Sequence, residues 1–194
     1  MRGIEPRSHD PQPRILPLNY TPIRLFYQHF DTMSHMGRMK RPNWNTYFMQ
    51  LADVVATRSN CIRRSVGAVL VQDKRIIATG YNGTPHGIPN CDEGGCNRCS
   101  ERESGKLKSG EREETCVCIH AEQNAVIQAA LHGVSTLGAT LYTTIPPCSQ
   151  CAKILINAGI KHVLYRKDPH FIEGILLLNS ANINSTALLL SKSA

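Results

Sequence analysis

The stretch Ala139–Tyr165, ATLYTTIPPCSQCAKILINAGIKHVLY, decides the fold. Ala139 to Thr143 reads as a short strand, Pro147 to Asn157 as a helix, and Ile160 to Tyr165 as a second strand. Strand, helix and strand in that order imply an α/β domain whose second half is mainly parallel. Upstream, Ala121 to Leu131 is expected to be another helix. Downstream, a last helix near Phe171 to Ser180 and a weak strand near Thr186 to Leu190 are expected.

The first half of the domain reads differently. Tyr47, Leu51, Val54 and Val55 lie at helical spacing in Asn45–Thr57, with Asn45 as the expected N-cap. Two strands, Val66 to Val71 and Arg75 to Gly80, flank the polar turn Gln72-Asp73-Lys74 and should pair as a hairpin. From Asn82 to Cys118 the chain holds five cysteines, six glycines and many charges, with almost no apolar period. A loop of that length needs a brace.

The chain has 194 residues, and its 41% hydrophobic content suits one packed catalytic domain, taken as residues 43–194. Residues 1–42 carry Pro6, Pro11, Pro13, Pro17, Pro22 and Pro42 among scattered arginines, and read as a disordered or loosely packed extension. The same arginines allow a weakly supported mitochondrial transit peptide, since Glu5, Asp10 and Asp31 interrupt them. A net charge of +7 favours a polyanionic ligand, either a nucleotide phosphate or a nucleic-acid backbone, or reflects no more than a solvated basic face. Eight cysteines would suit a disulfide-stapled secreted protein. The broken N-terminal sequence offers no secretory signal and the chain no membrane span, so reduced thiols or metal ligands are expected.

The chemistry is concentrated in His120-Ala121-Glu122, followed 25 residues after Glu122 by Pro147-Cys148-Ser149-Gln150-Cys151. Cys148 and Cys151 are three apart, so in a first helical turn their sulfurs share one face and can grip one ion, with Pro147 at the first helical position. His120 opens the preceding helix, and the positive ends of both helix dipoles should meet at the metal. Three protein ligands, His120, Cys148 and Cys151, leave a fourth tetrahedral position for water, as in catalytic rather than structural zinc sites. Zinc lowers the pKa of bound water to about 7. Glu122 is near enough to take that proton and deliver it to a ring nitrogen and a departing amine. A lone CxxC is more often a zinc knuckle or redox pair, and a lone HxE is usually noise. Both here occur in order, and each opens a helix.

The spacing H-x-E…P-C-x-x-C is that of zinc deaminases acting on nucleobases. From about Trp44 to Arg166 the chain resembles deoxycytidylate (dCMP) deaminases of the cytidine deaminase-like superfamily. The matching stretches are Ser59-Asn60-Cys61, Val66-Gly67-Ala68-Val69, Ala78 to Pro85, Asn90 to Cys96, Cys118 to Ala125, and Pro147 to Lys153. That resemblance implies a three-layer α/β/α fold with a central mixed sheet of about five strands. It implies a zinc-dependent hydrolase converting dCMP to dUMP and ammonia, which supplies thymidylate synthesis. It further implies a homo-oligomer, commonly a hexamer, with dCTP as activator and dTTP as inhibitor. Carried over by position, Asn82 should contact the substrate, and Gly80, Tyr81 and Gly83 should line the nucleotide site. Asn124 reads equally as a substrate contact or a capping polar group. A cytoplasmic enzyme is expected, with nucleus and mitochondrion as alternatives. Residues 1–42 and the segment after His170 depart from the family pattern, which leaves the effector response open.

Cys61, Cys91, Cys96, Cys99, Cys116 and Cys118 exceed the needs of the catalytic site. Buried free thiols are common. A closed four-ligand zinc site would, however, order a glycine-rich loop that cannot bury itself, and some dCMP deaminases carry a second zinc here. Cys61, Cys91, Cys96 and Cys116 are the expected ligands, with Cys99 or Cys118 as substitutes. A nucleic-acid deaminase would share the catalytic motif but needs aromatic platforms and a basic groove. Aromatics are only 6%, and Asp92, Glu93, Glu101, Glu103, Glu111, Glu113 and Glu114 make the loop acidic, so nucleic acid is disfavoured. Deamination of free cytidine or deoxycytidine, and a non-catalytic zinc module, are the remaining alternatives.

Overall fold

The structure is a computed structural model and describes residues 41–168 and 172–189. The expectations for the N-terminal extension, the transit peptide and Phe171 lie outside these residues, apart from Arg41 and Pro42.

Helix α1 (Trp44–Ala56) comes first, followed by strands β1 (Gly67–Gln72) and β2 (Arg75–Tyr81). Helix α2 (Asn97–Glu103) sits between two short 3₁₀ turns, and helix α3 (Ala121–Leu131) follows. Strand β3 (Thr140–Thr143), helix α4 (Ser149–Asn157), strand β4 (His162–Arg166), helix α5 (Glu173–Ser180) and strand β5 (Asn184–Leu188) complete the order. The sheet runs β2-β1-β3-β4-β5. β1 pairs antiparallel with both β2 and β3, whereas β3, β4 and β5 are mutually parallel. This is the mixed five-stranded sheet expected, with its parallel half where the strand–helix–strand reading put it.

Alternation along the strands divides the core into two layers. Ala68, Leu70, Leu141 and Val163 face α3, α4 and α5, packing on Ala121, Ala125, Ala129, Ala152, Leu155 and Leu178. Val69, Val71, Tyr142 and Leu164 face the other way, onto Phe48, Met49 and Ala52 of α1. The α3 face is built from alanines at four-residue spacing, which lets the helix backbone lie close to the sheet. Gly80 completes that approach: a Cβ there would sit 2.2 Å from the Ala121 carbonyl oxygen and 2.3 Å from the Ala125 nitrogen. Truncating a fully buried leucine such as Leu141 or Leu155 would cost about 2–5 kcal/mol.

Several boundaries differ from the sequence expectation. The N-cap of α1 is Asn43, whose side chain accepts from the Thr46 N–H at 2.9 Å. Asn45 lies inside the helix and accepts from the Tyr142 hydroxyl at 2.9 Å. Pro147 precedes α4 rather than opening it, because Cys148 is the N-cap. The hairpin turn closes with Asp73 and Lys74 both at positive φ, the primed geometry that matches strand twist. β5 starts at Asn184, two residues before the expected Thr186, following its parallel register with His162 of β4.

Candidate metal centre and active site

The parallel half of the sheet ends beside the first turns of α3 and α4, and there the metal-ligating side chains meet. His120 is the N-cap of α3 and Cys148 the N-cap of α4, while Cys151 lies in the first turn of α4. The His120 backbone N–H donates to Gln123 Oε1 at 3.2 Å, fixing the start of α3. Gly174 of α5 packs behind Cys148: a Cβ there would lie 2.0 Å from the Pro147 carbonyl oxygen. Each ligand is therefore held by a helix terminus rather than by a loop.

His120 Nδ1 lies 3.3 Å from Cys151 Sγ and 3.4 Å from Cys148 Sγ. Zinc with ordinary Zn–N and Zn–S bonds and tetrahedral angles has N···S edges of about 3.6 Å. One imidazole and two thiols at these separations fit zinc, with Nδ1 as the ligating nitrogen. The three side chains polarise one another. Cys148 is held down to about 3, first by the Cys151 thiol that donates to it and also by His120. His120 is raised to about 9, chiefly by its bond to Cys148. Cys151 is pushed up because its thiol proton serves Cys148.

Glu122, in the first turn of α3, is 3% exposed. Its Oε1 accepts from Thr143 Oγ1 at 3.1 Å, and its Oε2 lies 3.6 Å from Cys151 Sγ. Burial raises its pKa, and its own backbone N–H, His120 and Thr143 only partly offset this. A carboxylate whose pKa burial raises, set beside a candidate metal site, can both accept and return a proton. Sequence reasoning missed Thr143. Its signal was its place at the C-terminal end of a parallel strand, where α/β sheets present their ligand crevice.

The expected nucleotide-lining residues lie on the same side of α3. Asn82 is buried, its Oδ1 accepting from the Val66 N–H at 2.8 Å and its Nδ2 donating to the Arg64 carbonyl at 2.7 Å. Tyr81 is exposed, and its carbonyl accepts from Asn124 Nδ2 at 2.7 Å, so Asn124 ties the end of β2 to α3. Gly83 pairs with Ile119 as an isolated antiparallel bridge, which closes the long loop at its base. A Cβ on Gly83 would meet Asn60 Oδ1 at 2.8 Å.

The six remaining cysteines cluster together, Cys91, Cys96, Cys99 and Cys118 buried and Cys61 and Cys116 half-buried, and among the described residues the apolar cluster is built of sulfur side chains only. Cys61 and Cys91 lie with Cys99 and Cys118, whereas Cys96 and Cys116 lie with the same Cys99 and Cys118. The four ligands expected for a second metal are thus divided between two overlapping sets.

One imidazole and two thiols that could hold zinc at two helix N-termini, with a buried carboxylate beside them under a mixed sheet, define an α/β/α domain with a candidate metal centre. The chain belongs to the family described as the cytidine and deoxycytidylate deaminase zinc-binding region, whose model matches residues 42–167. It is 44% identical over 135 residues to the deoxycytidylate deaminase of Saccharomyces cerevisiae, covering 70% of this chain and 41% of that protein. It is 40% identical over 134 residues to the deoxycytidylate deaminase of Mycobacterium phage D29, covering 67% of this chain and 99% of that one. The crystal structure of dCMP deaminase from the cyanophage S-TIM5 in complex with dCMP and dUMP superposes with a TM-score of 0.62 at 31% identity. That match covers 77% of this chain and 99% of the phage enzyme. The chain spans about two fifths of the length of the Saccharomyces cerevisiae relative. Among the described residues no helix is long and apolar enough to cross a membrane.

Proposed function

We propose that this domain hydrolyses dCMP to dUMP and ammonia. The observation that carries the reading is Glu122, a buried carboxylate held by Thr143 beside the His120, Cys148 and Cys151 set. A structural zinc site has no use for such a group. Likeness to dCMP deaminases of yeast and phages supports the substrate.

His120, Cys148 and Cys151 would hold the zinc, which when bound supplies the Lewis acidity that makes a water nucleophilic near neutral pH. Glu122 takes one proton from the attacking water and delivers it to N3 as the water oxygen bonds to C4 of the pyrimidine. It then carries the remaining hydroxyl proton to the amino group, and the C4–N bond breaks to release ammonia. Burial suits Glu122 to both directions of transfer, because its raised pKa narrows the gap to neutral pH. Asn82 contacts the substrate, with Gly80, Tyr81 and Gly83 along the nucleotide site. The chain assembles as a homo-oligomer, taken as a hexamer, that dCTP activates and dTTP inhibits. It works in the cytoplasm.

The test follows the ultraviolet change on deamination for dCMP, CMP, deoxycytidine and cytidine in parallel, with and without dCTP and Mg²⁺. Turnover restricted to dCMP is expected, rising with dCTP. Turnover of the nucleosides instead would overturn the nucleotide assignment. No turnover of any of the four by folded, zinc-loaded protein would overturn the reaction itself.

A further inference from the structure

The six-cysteine cluster has a geometry that one metal ion does not use up. In a tetrahedral zinc tetrathiolate the sulfurs stand about 3.8 Å apart. The sulfurs of Cys61, Cys91, Cys99 and Cys118 all lie within 4.8 Å of one another, and so do those of Cys96, Cys99, Cys116 and Cys118. Cys96 Sγ and Cys116 Sγ are 3.9 Å apart. Cys99 and Cys118 belong to both sets. Two tetrahedra that share one edge need six corners, two of them common, and the cluster supplies six sulfurs in that pattern.

We infer that the loop holds two zinc ions in a thiolate-bridged cluster, with Cys99 and Cys118 bridging. Cys61 and Cys91 complete the shell of one ion, and Cys96 and Cys116 that of the other.

Several features of the chain support this. A single zinc in either set would leave two further thiols packed against its own ligands. The second ion's two positive charges offset the two further thiolates, so the negative charge buried in the cluster does not grow. The backbone presents the sulfurs appropriately. Cys96 is the N-cap of α2 and Cys99 lies in its first turn, three residues on. Cys116 and Cys118 are two apart in extended chain, which puts both side chains on one face. Among the described residues no aliphatic side chain takes part in the cluster, so residues 91–118 lack a hydrophobic centre of their own, and metal–sulfur bonds would add to the exposed ion pairs that tie them. The cysteines are all free thiols. The cluster also reaches the catalytic centre through the chain, because Cys118 precedes His120 by two residues and is followed by the Gly83–Ile119 bridge.

The inference does not rest on the proposed reaction, and its test is independent of turnover. The full chain, purified reduced and with zinc, is weighed by native mass spectrometry beside the Cys148→Ser variant, which lacks a catalytic ligand. Three zinc ions per chain are expected in the parent and two in the variant. Two in the parent and one in the variant would overturn the bridged cluster in favour of a single structural zinc. Loss of all metal but the catalytic ion would overturn any metal in the loop. Since Cys99→Ser and Cys118→Ser are apt to unfold the loop, the bridging assignment is read on the parent chain loaded with ¹¹³Cd. Two tetrathiolate resonances split by coupling through shared sulfur are expected, and unsplit resonances or a single one would sink it.

Discussion

Thr143 Oγ1, at the end of β3, donates a 3.1 Å hydrogen bond to Oε1 of Glu122 in the first turn of α3, and both side chains are buried. The bond fixes the carboxylate rotamer and favours its ionised form, because a donor stabilises the charge. Thr143→Val keeps the shape and removes the donor. The Glu122 pKa, already raised by burial, then rises further. Since the base must be ionised to accept a proton, the acid limb of the kcat/KM profile for dCMP should move to higher pH. At neutral pH the loss should be about tenfold, the scale of one hydrogen bond to a charged group. An unmoved acid limb with the same loss would mean that Thr143 acts on shape alone.

Glu122→Gln should separate chemistry from stability. Turnover is expected to fall by roughly 10²–10⁴-fold, the usual contribution of a positioned acid or base, with the metal content unchanged. Stability should rise. The folded pKa of Glu122 lies above its unfolded value, so its contribution is fully present below the unfolded pKa and is lost as pH rises through the folded one. The variant should therefore melt higher than the parent at pH 8, with the gap closing towards pH 4. A gap that widens on acidification would contradict the desolvation account.

Zinc binding at the catalytic ligands should release about two protons per ion at pH 7, because ligands must be deprotonated. Cys148, held down to about 3, is already a thiolate. His120, raised to about 9, and Cys151, raised above the ordinary thiol range, must each lose one. Affinity should then fall about 100-fold for each pH unit of acidification between the Cys148 and His120 values. Calorimetry of the full chain stripped of the catalytic ion alone, in buffers of different ionisation enthalpy, counts the protons, and a count near zero or three would refute this charge assignment.

The strand–helix–strand order around Cys148 and Cys151 was legible because short apolar runs and a helical period alternate there, and α3 was bounded correctly at Ala121 and Leu131. Helix α2 was not legible. Its seven residues bury one side chain, Cys99, which is too little to make a period. Asn43 and Asn45 are equally good caps by residue type, and only the docking of Asn45 on Tyr142 decides between them. His120, Glu122, Cys148 and Cys151 were legible from spacing, whereas Thr143 required the sheet register that sets β3 beside α3. The cysteine spacings named the five loop thiols and Cys61 but not their division around Cys99 and Cys118, since chain order does not fix which sulfurs become neighbours.

Gly80 was expected on the nucleotide site, yet its lack of a Cβ is required by the backbone of α3. In Gly80→Ala the methyl would overlap the Ala121 carbonyl, forcing β2 and α3 apart. Overpacking of this kind costs about 1–3 kcal/mol, and backbone on both sides favours the upper end. Urea unfolding should show that loss together with weaker dCMP turnover, since α3 carries His120 and Glu122. Full stability with only KM altered would return Gly80 to a purely substrate-lining role.

Asn82 holds the chain between α1 and β1 to the end of β2, through Val66 and Arg64. Its amide has two N–H donors, and the bond to the Arg64 carbonyl uses one, so the other can serve a ligand. Asn82→Asp retains an acceptor for the Val66 N–H but sets a carboxylate oxygen against the Arg64 carbonyl, and it removes the second donor. Stability should drop by about 1–3 kcal/mol, the cost of an unsatisfied buried pair, and KM for dCMP should rise about tenfold through the lost donor. The two effects are separable by measuring KM well below the melting temperature and unfolding by urea on the same preparation. A stability loss with an unchanged KM would confine Asn82 to bracing the strand end, and the nucleotide contact would then have to come from another residue at the end of β2.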